Sequence, residues 1–153
     1  MWNDCERGGS SCLQVPFCLR FLIGSHYHFD HCIPYQPYLP SSTTLFGPGT
    51  CKRGGPGWPA DPNSVGLSLF LDPAHPNAKN VKELPDFGSD GWKSFGPFER
   101  AWDFWDDGSF WLIDAPGHAP GNLIAAARLQ NSDWVVMGGD CAHSKYFPQR
   151  AVY

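Results

Sequence analysis

The segment His26-Tyr27-His28-Phe29-Asp30-His31 constrains this chain more than any other feature of its sequence. It gathers imidazole and carboxylate groups, which are common metal ligands, directly after the apolar run Phe21-Leu22-Ile23. In an extended segment His26 and His28 point the same way, while a following turn lets Asp30 and His31 approach a second point. The alternative is a polar loop that is rich in histidine by chance. Six histidines distributed at random over 153 residues would rarely give such a cluster.

Two later segments also place a metal-binding side chain after an apolar run. Residues 110–113 predict a strand, and the glycines and prolines on both sides of His118 predict a turn with the imidazole at its tip. Trp134–Met137 predicts a buried strand, followed by Gly138-Gly139-Asp140. A Pro-Gly-His or Gly-Gly-Asp alone is more typical of an ordinary turn. Their order after the first cluster is what indicates a shared metal site.

The three segments together resemble the metallo-β-lactamase superfamily. Its signature is His-x-His-x-Asp-His, then a Gly-His turn, then an aspartate after a strand. Residues 25–31 match the first motif in full, His118 falls at the third histidine, and Asp140 at the bridging aspartate. The resemblance covers roughly residues 19–147. Three segments look most like lactonase-like hydrolases of fungi: Phe46-Gly47-Pro48-Gly49-Thr50, Asp107-Gly108-Ser109-Phe110 and Gly138-Gly139-Asp140.

The resemblance implies a ligand role for six side chains. The first metal would be held by His26, His28 and His118. The second would be held by Asp30 and His31, with Asp140 bridging the two. Zinc is the implied cofactor, as one or two ions per chain, with iron or manganese as alternatives.

His143 is the residue whose role the resemblance leaves open. In the superfamily the last ligand of the second metal is a histidine well downstream of the bridging aspartate, whereas His143 lies only three residues past Asp140. A supporting or core position is the main expectation for it, and substitution as a ligand is the alternative. We therefore predict that the chain binds one metal better than two, and that its hydrolase activity as given is weak or absent because the last metal ligand is missing.

The implied chemistry is hydrolysis of an ester or lactone carbonyl by zinc-bound hydroxide. Zinc lowers the pKa of its bound water to about 7, so hydroxide forms at neutral pH. Asp30 is the candidate catalytic residue, because its motif position would let it orient the nucleophile and pass a proton to the leaving oxygen. Thioesters and β-lactams remain open as substrates. Two other hypotheses stand beside this one: an inactive or unstable fragment of such a hydrolase, and a metal-binding protein with a redox or regulatory use.

Composition predicts a β-rich fold with long loops, because 17 glycines and 15 prolines leave room for few long helices. The resemblance implies the α/β (α+β) class and a partial αββα sandwich. Only 25 residues precede His26 and the chain ends at Tyr153, so it looks truncated at both ends. Residues 1–14 are expected to form a polar tail, and residues 15–153 an incomplete metallo-β-lactamase-like domain.

Local patterns predict individual elements. A strand is expected at residues 15–23, and residues 41–44 are expected to be the entry to a strand rather than a nucleophile. A hairpin is expected from residues 100–105 and 109–113 with Asp107-Gly108 at its turn. Residues 122–129 predict a strand paired with Trp134–Met137, despite three consecutive alanines. Residues 34–40 and 47–63 predict loops without regular structure. Five aromatic residues are candidates for a substrate pocket, with ordinary packing as the main alternative: Trp58, Phe70, Phe87, Trp92 and Phe95.

Charge and apolar patterning exclude several partners. A net charge of −4 with scattered lysines and arginines gives no basic surface for nucleic acid. No apolar run approaches the roughly 18 residues of a membrane span, and the N-terminus lacks the form of a signal peptide, so a cytoplasmic location is expected. The partner expected is a small-molecule ester or lactone, and the oligomeric state is open.

Three further side chains carry predictions. The six cysteines show no CxxC pair and are expected to be reduced thiols. Cys32 and Cys141 each follow a proposed ligand, and small buried packing is expected rather than metal binding. Asp114 is predicted either to support the site, by capping the turn or accepting a hydrogen bond from a ligand histidine, or to be a solvent-exposed strand end.

Overall fold

Two β-sheets make up the part of the chain that the computed structural model describes, which is residues 19–32, 41–55, 62 and 78–141. The parallel sheet A has the order β1-β2-β3, and the antiparallel sheet B has the order β4-β5-β6-β7-β8. The strands are β1 (Phe21–Ile23), β2 (Thr43–Phe46), β3 (Val81–Glu83), β4 (Trp92–Phe95), β5 (Phe98–Asp103), β6 (Phe110–Asp114), β7 (Leu123–Arg128) and β8 (Trp134–Met137). The helical elements are α1 (Thr50–Gly54) and 3-10 turns at Ala78–Asn80 and Gly139–Cys141.

Sheet B is a meander of consecutive strands, and its β5–β6 hairpin forms where the sequence predicts one. The β5–β6 turn is closed by the Asp103 carboxylate, which accepts hydrogen bonds from the Gly108 amide at 2.9 and 3.1 Å. Gly108 has φ +70°, the left-handed conformation that glycine adopts without strain. The predicted pairing of β7 with β8 is also confirmed, with Arg128 opposite Trp134 and Ala125 opposite Met137.

The two sheets pack against each other through their apolar faces. Leu112 and Leu123 of sheet B are 0% and 2% exposed, and the Ile23 side chain of β1 and the buried Leu84 pack against them. The opposite face of sheet B buries a second cluster, consisting of Ala101, Trp111, Ile113, Ile124 and Ala126. This β-rich, two-sheet architecture confirms the predicted fold class and supplies part of an αββα sandwich.

Strand β8 is exposed, so its prediction as a buried strand is wrong. The relative exposures of Trp134, Val135, Val136 and Met137 are 40%, 43%, 58% and 47%. The cause is its place at the edge of sheet B, where β7 is its single pairing partner among the described strands. An apolar run predicts a strand, but it does not indicate whether that strand lies at the edge or in the centre of its sheet.

The predicted loop at residues 47–63 is wrong in part, because α1 forms inside it. Gly49 precedes this helix with φ +87°, and the helix occupies the proline-free stretch after Pro48. Of the predicted strand at residues 15–23, the described part contains Phe21–Ile23. The predictions for residues 1–14, residues 34–40, Trp58, Phe70 and His143 lie outside the described residues. None of the helices in the described ranges is long and apolar enough to cross a membrane.

Candidate metal centre

Three strands end at one edge of the molecule. Asp114 at the end of β6 lies opposite Leu123 at the start of β7, and Met137 at the end of β8 lies opposite Ala125. The Leu123 amide also donates a 2.8 Å hydrogen bond to the Ser25 carbonyl, just past β1. The polar segments that follow β1, β6 and β8 therefore lie next to one another.

The segment after β1 folds into a tight turn, as predicted. The His31 amide donates to the His28 carbonyl at 2.9 Å, and the Cys32 thiol donates to the His26 carbonyl at 2.9 Å. These bonds hold His26 fully buried beneath the turn, while Asp30 lies on its exposed side. The turn therefore holds the His26 imidazole in the interior and the His28 and His31 imidazoles nearer the surface.

The segment after β6 holds His118 at the tip of a second turn. Gly117 and Gly121 have φ values of +135° and +71°, which side-chain-bearing residues rarely adopt. The fully buried Asn122 closes the base, because its side-chain amide donates to the Ala115 carbonyl at 2.9 Å. The His118 side chain is 28% exposed, so it lies at the boundary between the protein and solvent.

Four side chains from the three segments form the first group. The Nε2 atom of His118 lies 3.1 Å from His26 Nε2 and 3.0 Å from His28 Nδ1. The two histidines of the β1 segment are 2.8 Å apart through the same atoms. Asp140 Oδ2 lies 3.5 Å from the His118 nitrogen and 3.8 Å from the His26 nitrogen. All these ligand atoms fall within 4.8 Å of one another, as the predicted convergence requires.

The second group consists of Asp30, His31 and Asp140. His31 Nε2 lies 3.2 Å from Asp140 Oδ1 and 3.5 Å from Asp30 Oδ2. Asp140 therefore turns one oxygen towards each group, which is the geometry of a bridging carboxylate. The structure brings all six predicted side chains together, and their binding of metal stays a prediction.

The first group fits a metal ion. Three ligands bound at 2.0–2.1 Å in a tetrahedral arrangement would lie roughly 3.3 Å apart. The three nitrogens here are 2.8–3.1 Å apart. A neutral imidazole carries hydrogen on one nitrogen, so hydrogen bonds cannot satisfy three nitrogens that all face one another. A cation between them resolves the conflict, and a set of imidazoles with a carboxylate suits zinc among other transition ions.

His26 is held in the neutral form that binds metals. Burial is the main cause that lowers its pKa from 6.5 to about 4, and the neighbouring imidazoles of His31, His28 and His118 lower it further. Asp140 acts in the opposite direction. At pH 7 the His26 ring is therefore neutral.

The two cysteines that follow candidate ligands differ in burial. Cys32 is 3% exposed, which confirms its predicted packing role. Cys141 is exposed, so the same prediction for it is wrong, because it follows β8, which lies at the edge of sheet B among the described strands. Both are free thiols, as is Cys51.

Alkylation should separate these thiols. We expect iodoacetamide to label Cys141 in the folded protein and to leave Cys32 and Cys51 unmodified, because burial raises the pKa of both to about 12 and the thiolate is the nucleophile. Partial burial also raises the pKa of Cys141, so the labelling is run at about pH 8.5, the pKa of a free thiol. Mass mapping of peptides gives the result, with denatured protein as the control. Equal labelling of Cys32 and Cys141 in the native protein would contradict this assignment.

Asp114 differs from both predictions made for it. It is not a solvent-exposed strand end, since its side chain is 4% exposed. The partner that the structure gives it is Arg100, whose Nε donates to Asp114 Oδ2 at 2.7 Å and whose Nη2 forms an ion pair with the same oxygen. The antiparallel register places Ala101 opposite Ile113, and the next pair along is Arg100 and Asp114. The Asp114 carboxylate therefore forms a cross-strand ion pair with Arg100 instead of contacting a candidate ligand.

Two cavities flank the candidate ligands. One, of about 350 Å³, has apolar walls from both sheets and is bounded at its polar end by Ser25, Asp30 and His31. The other, of about 460 Å³, lies against His118 and includes Phe87. Both volumes are within the range of small-molecule sites.

Of the aromatic residues predicted to line a pocket, Phe87 does so and two others pack elsewhere. The Trp92 ring lies 5.7 Å from the Trp102 ring, and Phe95 stacks on Trp111 with ring centroids 4.6 Å apart. These contacts match the packing alternative for Trp92 and Phe95.

Sequence reasoning missed two residues that position the ligands. Ser25 contacts two of the candidate histidines, and Asn122 closes the turn of His118. Two features of the sequence could have indicated these roles: Ser25 directly precedes the first histidine, and Asn122 directly follows the Pro120-Gly121 turn.

Comparison with known proteins identifies relatives but no solved counterpart. Metallo-hydrolase mfmC of Annulohypoxylon moriforme is 36% identical over 124 residues, covering 80% of this chain and 30% of the relative. Gamma-lactamase FDB1 of Fusarium pseudograminearum is 35% identical over 124 residues, covering 80% of this chain and 28% of the relative. Cytochrome P450 monooxygenase mpaDE' of Penicillium brevicompactum is 35% identical over 140 residues, covering 85% of this chain and 16% of the relative. No protein-family model and no solved structure matches the chain.

A two-sheet fold with this cluster of histidines and aspartates at its strand ends is the arrangement of an α/β protein with a candidate metal centre. Together with the metallo-hydrolase and lactamase relatives, these features support membership of the metallo-β-lactamase superfamily. The chain spans less than a third of the length of the three relatives described here.

Proposed function

We propose that this chain forms the metal centre of a zinc-dependent hydrolase that opens the ring of a small lactone or lactam. The observation that carries the proposal is the bridging position of Asp140, with Oδ2 towards the first group and Oδ1 towards the second. Two adjacent metal positions joined by a carboxylate are a common arrangement for hydrolysis.

The chemistry divides between the metal and the chain. Bound zinc would supply a water of lowered pKa and polarise the substrate carbonyl. His26, His28 and His118 orient their nitrogens on one point and so fix where that chemistry takes place. Asp30 is the proposed proton carrier, because its side chain is 57% exposed while its carboxylate lies 3.5 Å from His31. It can therefore accept a proton from the nucleophile and release it to the leaving group.

The cavity beside His118 supports a small substrate. Its volume of about 460 Å³ and its wall of Phe87 and several prolines suit a small molecule. Two of the relatives, a metallo-hydrolase and a gamma-lactamase, support hydrolysis of a carbonyl compound. A lactone, like a lactam, contains a ring carbonyl that a nucleophile can attack, and it is the simpler of the two substrates to test.

The test combines metal loading with turnover. Purified protein is stripped with a chelator, reloaded separately with zinc, manganese and iron, and assayed on a simple γ-lactone and a γ-lactam. We expect weak zinc-dependent ring opening that is lost in His118→Ala. Metal binding without hydrolysis of either substrate would overturn the hydrolase proposal, and selective iron binding would favour a redox role.

The two groups should bind metal with different affinity. The first offers three imidazoles and a shared carboxylate, whereas the second offers one imidazole, the shared carboxylate and the largely exposed Asp30. We therefore expect the first equivalent of zinc to bind more tightly than the second. Competition with a chromophoric chelator measures both constants, and His31→Ala should remove the weaker step alone. Two equally tight steps would contradict the assignment.

A further inference from the structure

Ser25 lies where the two metal groups meet. Its Oγ is 3.1 Å from His26 Nδ1 and 3.2 Å from His31 Nδ1. His26 belongs to the first group and His31 to the second, and each presents its Nε2 to the metal position. One hydroxyl therefore contacts the far nitrogen of a histidine from each group.

The backbone fixes this hydroxyl in place. The Ser25 carbonyl accepts a 2.8 Å hydrogen bond from Leu123, which ties the residue to β7. On the other side, a Cβ built on Gly139 would lie 3.2 Å from Ser25 Cβ and 3.3 Å from its Oγ. Ser25 thus packs against the residue that precedes Asp140.

Metal binding decides which way these hydrogen bonds run. A histidine that gives the Nε2 lone pair to a metal carries its hydrogen on Nδ1, and that N–H needs an acceptor. The serine oxygen has two lone pairs and can accept from both rings at once. If the hydroxyl donated to either ring instead, that ring would carry its hydrogen on Nε2 and could not bind metal.

We infer that Ser25 is a positioning residue that accepts hydrogen bonds from His26 and His31 together, so that one hydroxyl sets the tautomer of a histidine in each metal group. The inference rests on the proposed metal centre. It makes the two groups interdependent through Ser25 as well as through Asp140.

Zinc titration of Ser25→Ala is the test, with Ser42→Ala as the matched control. Ser42 is also poorly exposed, at 2%, and its hydroxyl donates to the Leu19 carbonyl, so its loss removes a hydroxyl from the fold but not from the site. We expect Ser25→Ala to weaken both zinc-binding steps by roughly 10–100-fold, as is typical when the partner of a ligand histidine is removed. Ser42→Ala should leave both constants unchanged.

A spectroscopic readout separates tautomer control from general loosening. In the zinc-loaded wild-type protein, proton NMR should show slowly exchanging Nδ1–H signals from His26 and His31, and both should exchange faster in Ser25→Ala. Unchanged binding constants, or weakening of one step alone, would overturn the shared role of Ser25 while leaving the proposed function intact. Wild-type protein that binds no zinc would overturn both.

Discussion

Asp140→Ala is expected to lose tight metal binding in both groups at once. Its Oδ2 lies 3.5 Å from His118 Nε2, and its Oδ1 lies 3.2 Å from His31 Nε2. Removing a partner of a ligand costs 10–100-fold in metal affinity, so removing a direct ligand of two metals should weaken each step by more than about 100-fold. Turnover of a lactone should fall with metal content. Competitive zinc titration and elemental analysis of the folded protein measure the effect.

Two controls separate the bridging role from a general effect of charge. Asp90 is exposed in the turn before β4, so Asp90→Ala removes the same charge and should leave zinc binding unchanged. Asp30→Ala should weaken the second step alone, because Asp30 belongs to the second group only. Loss of a single step in Asp140→Ala would show that the carboxylate serves one metal and does not bridge.

The arrangement of the site follows from the sequence because its determinants are local. Each ligand segment comes directly after an apolar strand, and the ends of β1, β6 and β8 fall at one edge of the molecule. Glycine and proline around His118 predict its turn without knowledge of the rest of the chain. The convergence of His26, His28, His118 and Asp140 could therefore be predicted from the order of the motifs, whereas the second group was implied by the resemblance to the superfamily.

Which nitrogen each ligand presents could not be predicted. His26, His31 and His118 present Nε2, while His28 presents Nδ1. The choice depends on the rotamer and on what lies behind each ring, and Ser25 comes to lie behind two of them through the folding of the turn. Sequence spacing carries no information on either.

The wrong predictions for β8, Asp114 and Cys141 share a dependence on sheet geometry. Whether β8 is central or at an edge depends on what pairs beyond it, and the use of Asp114 depends on a register that places Arg100 opposite. Both are long-range facts, whereas period and composition report on single strands. Cys141 is exposed for the same reason as β8, since it follows that strand.

Gly47→Ala is expected to destabilise the fold severely. A Cβ on Gly47 would lie 2.1 Å from the Gly121 carbonyl oxygen and 3.0 Å from Leu123 Cγ. The first atom is backbone at the base of the His118 turn, so relief of the clash requires the two segments to separate. Overpacking of this kind costs 1–3 kcal/mol and more where backbone must move, and we expect a loss of at least about 3 kcal/mol in the free energy of unfolding. That is a large fraction of the stability of an ordinary domain.

The matched control for Gly47→Ala is Gly88→Ala. A Cβ on Gly88 has no neighbour within 4 Å, and Gly88 is not among the glycines of positive φ, so this substitution should be neutral or stabilise by roughly 0.4–1 kcal/mol. Urea denaturation of the metal-free proteins measures both effects, and zinc titration reports on the site. Because the clash displaces the turn that holds His118, Gly47→Ala should also weaken the first zinc-binding step, whereas Gly88→Ala should not. A Gly47→Ala protein as stable as Gly88→Ala, with normal zinc affinity, would show that the two segments do not touch and that His118 is positioned by its own turn alone.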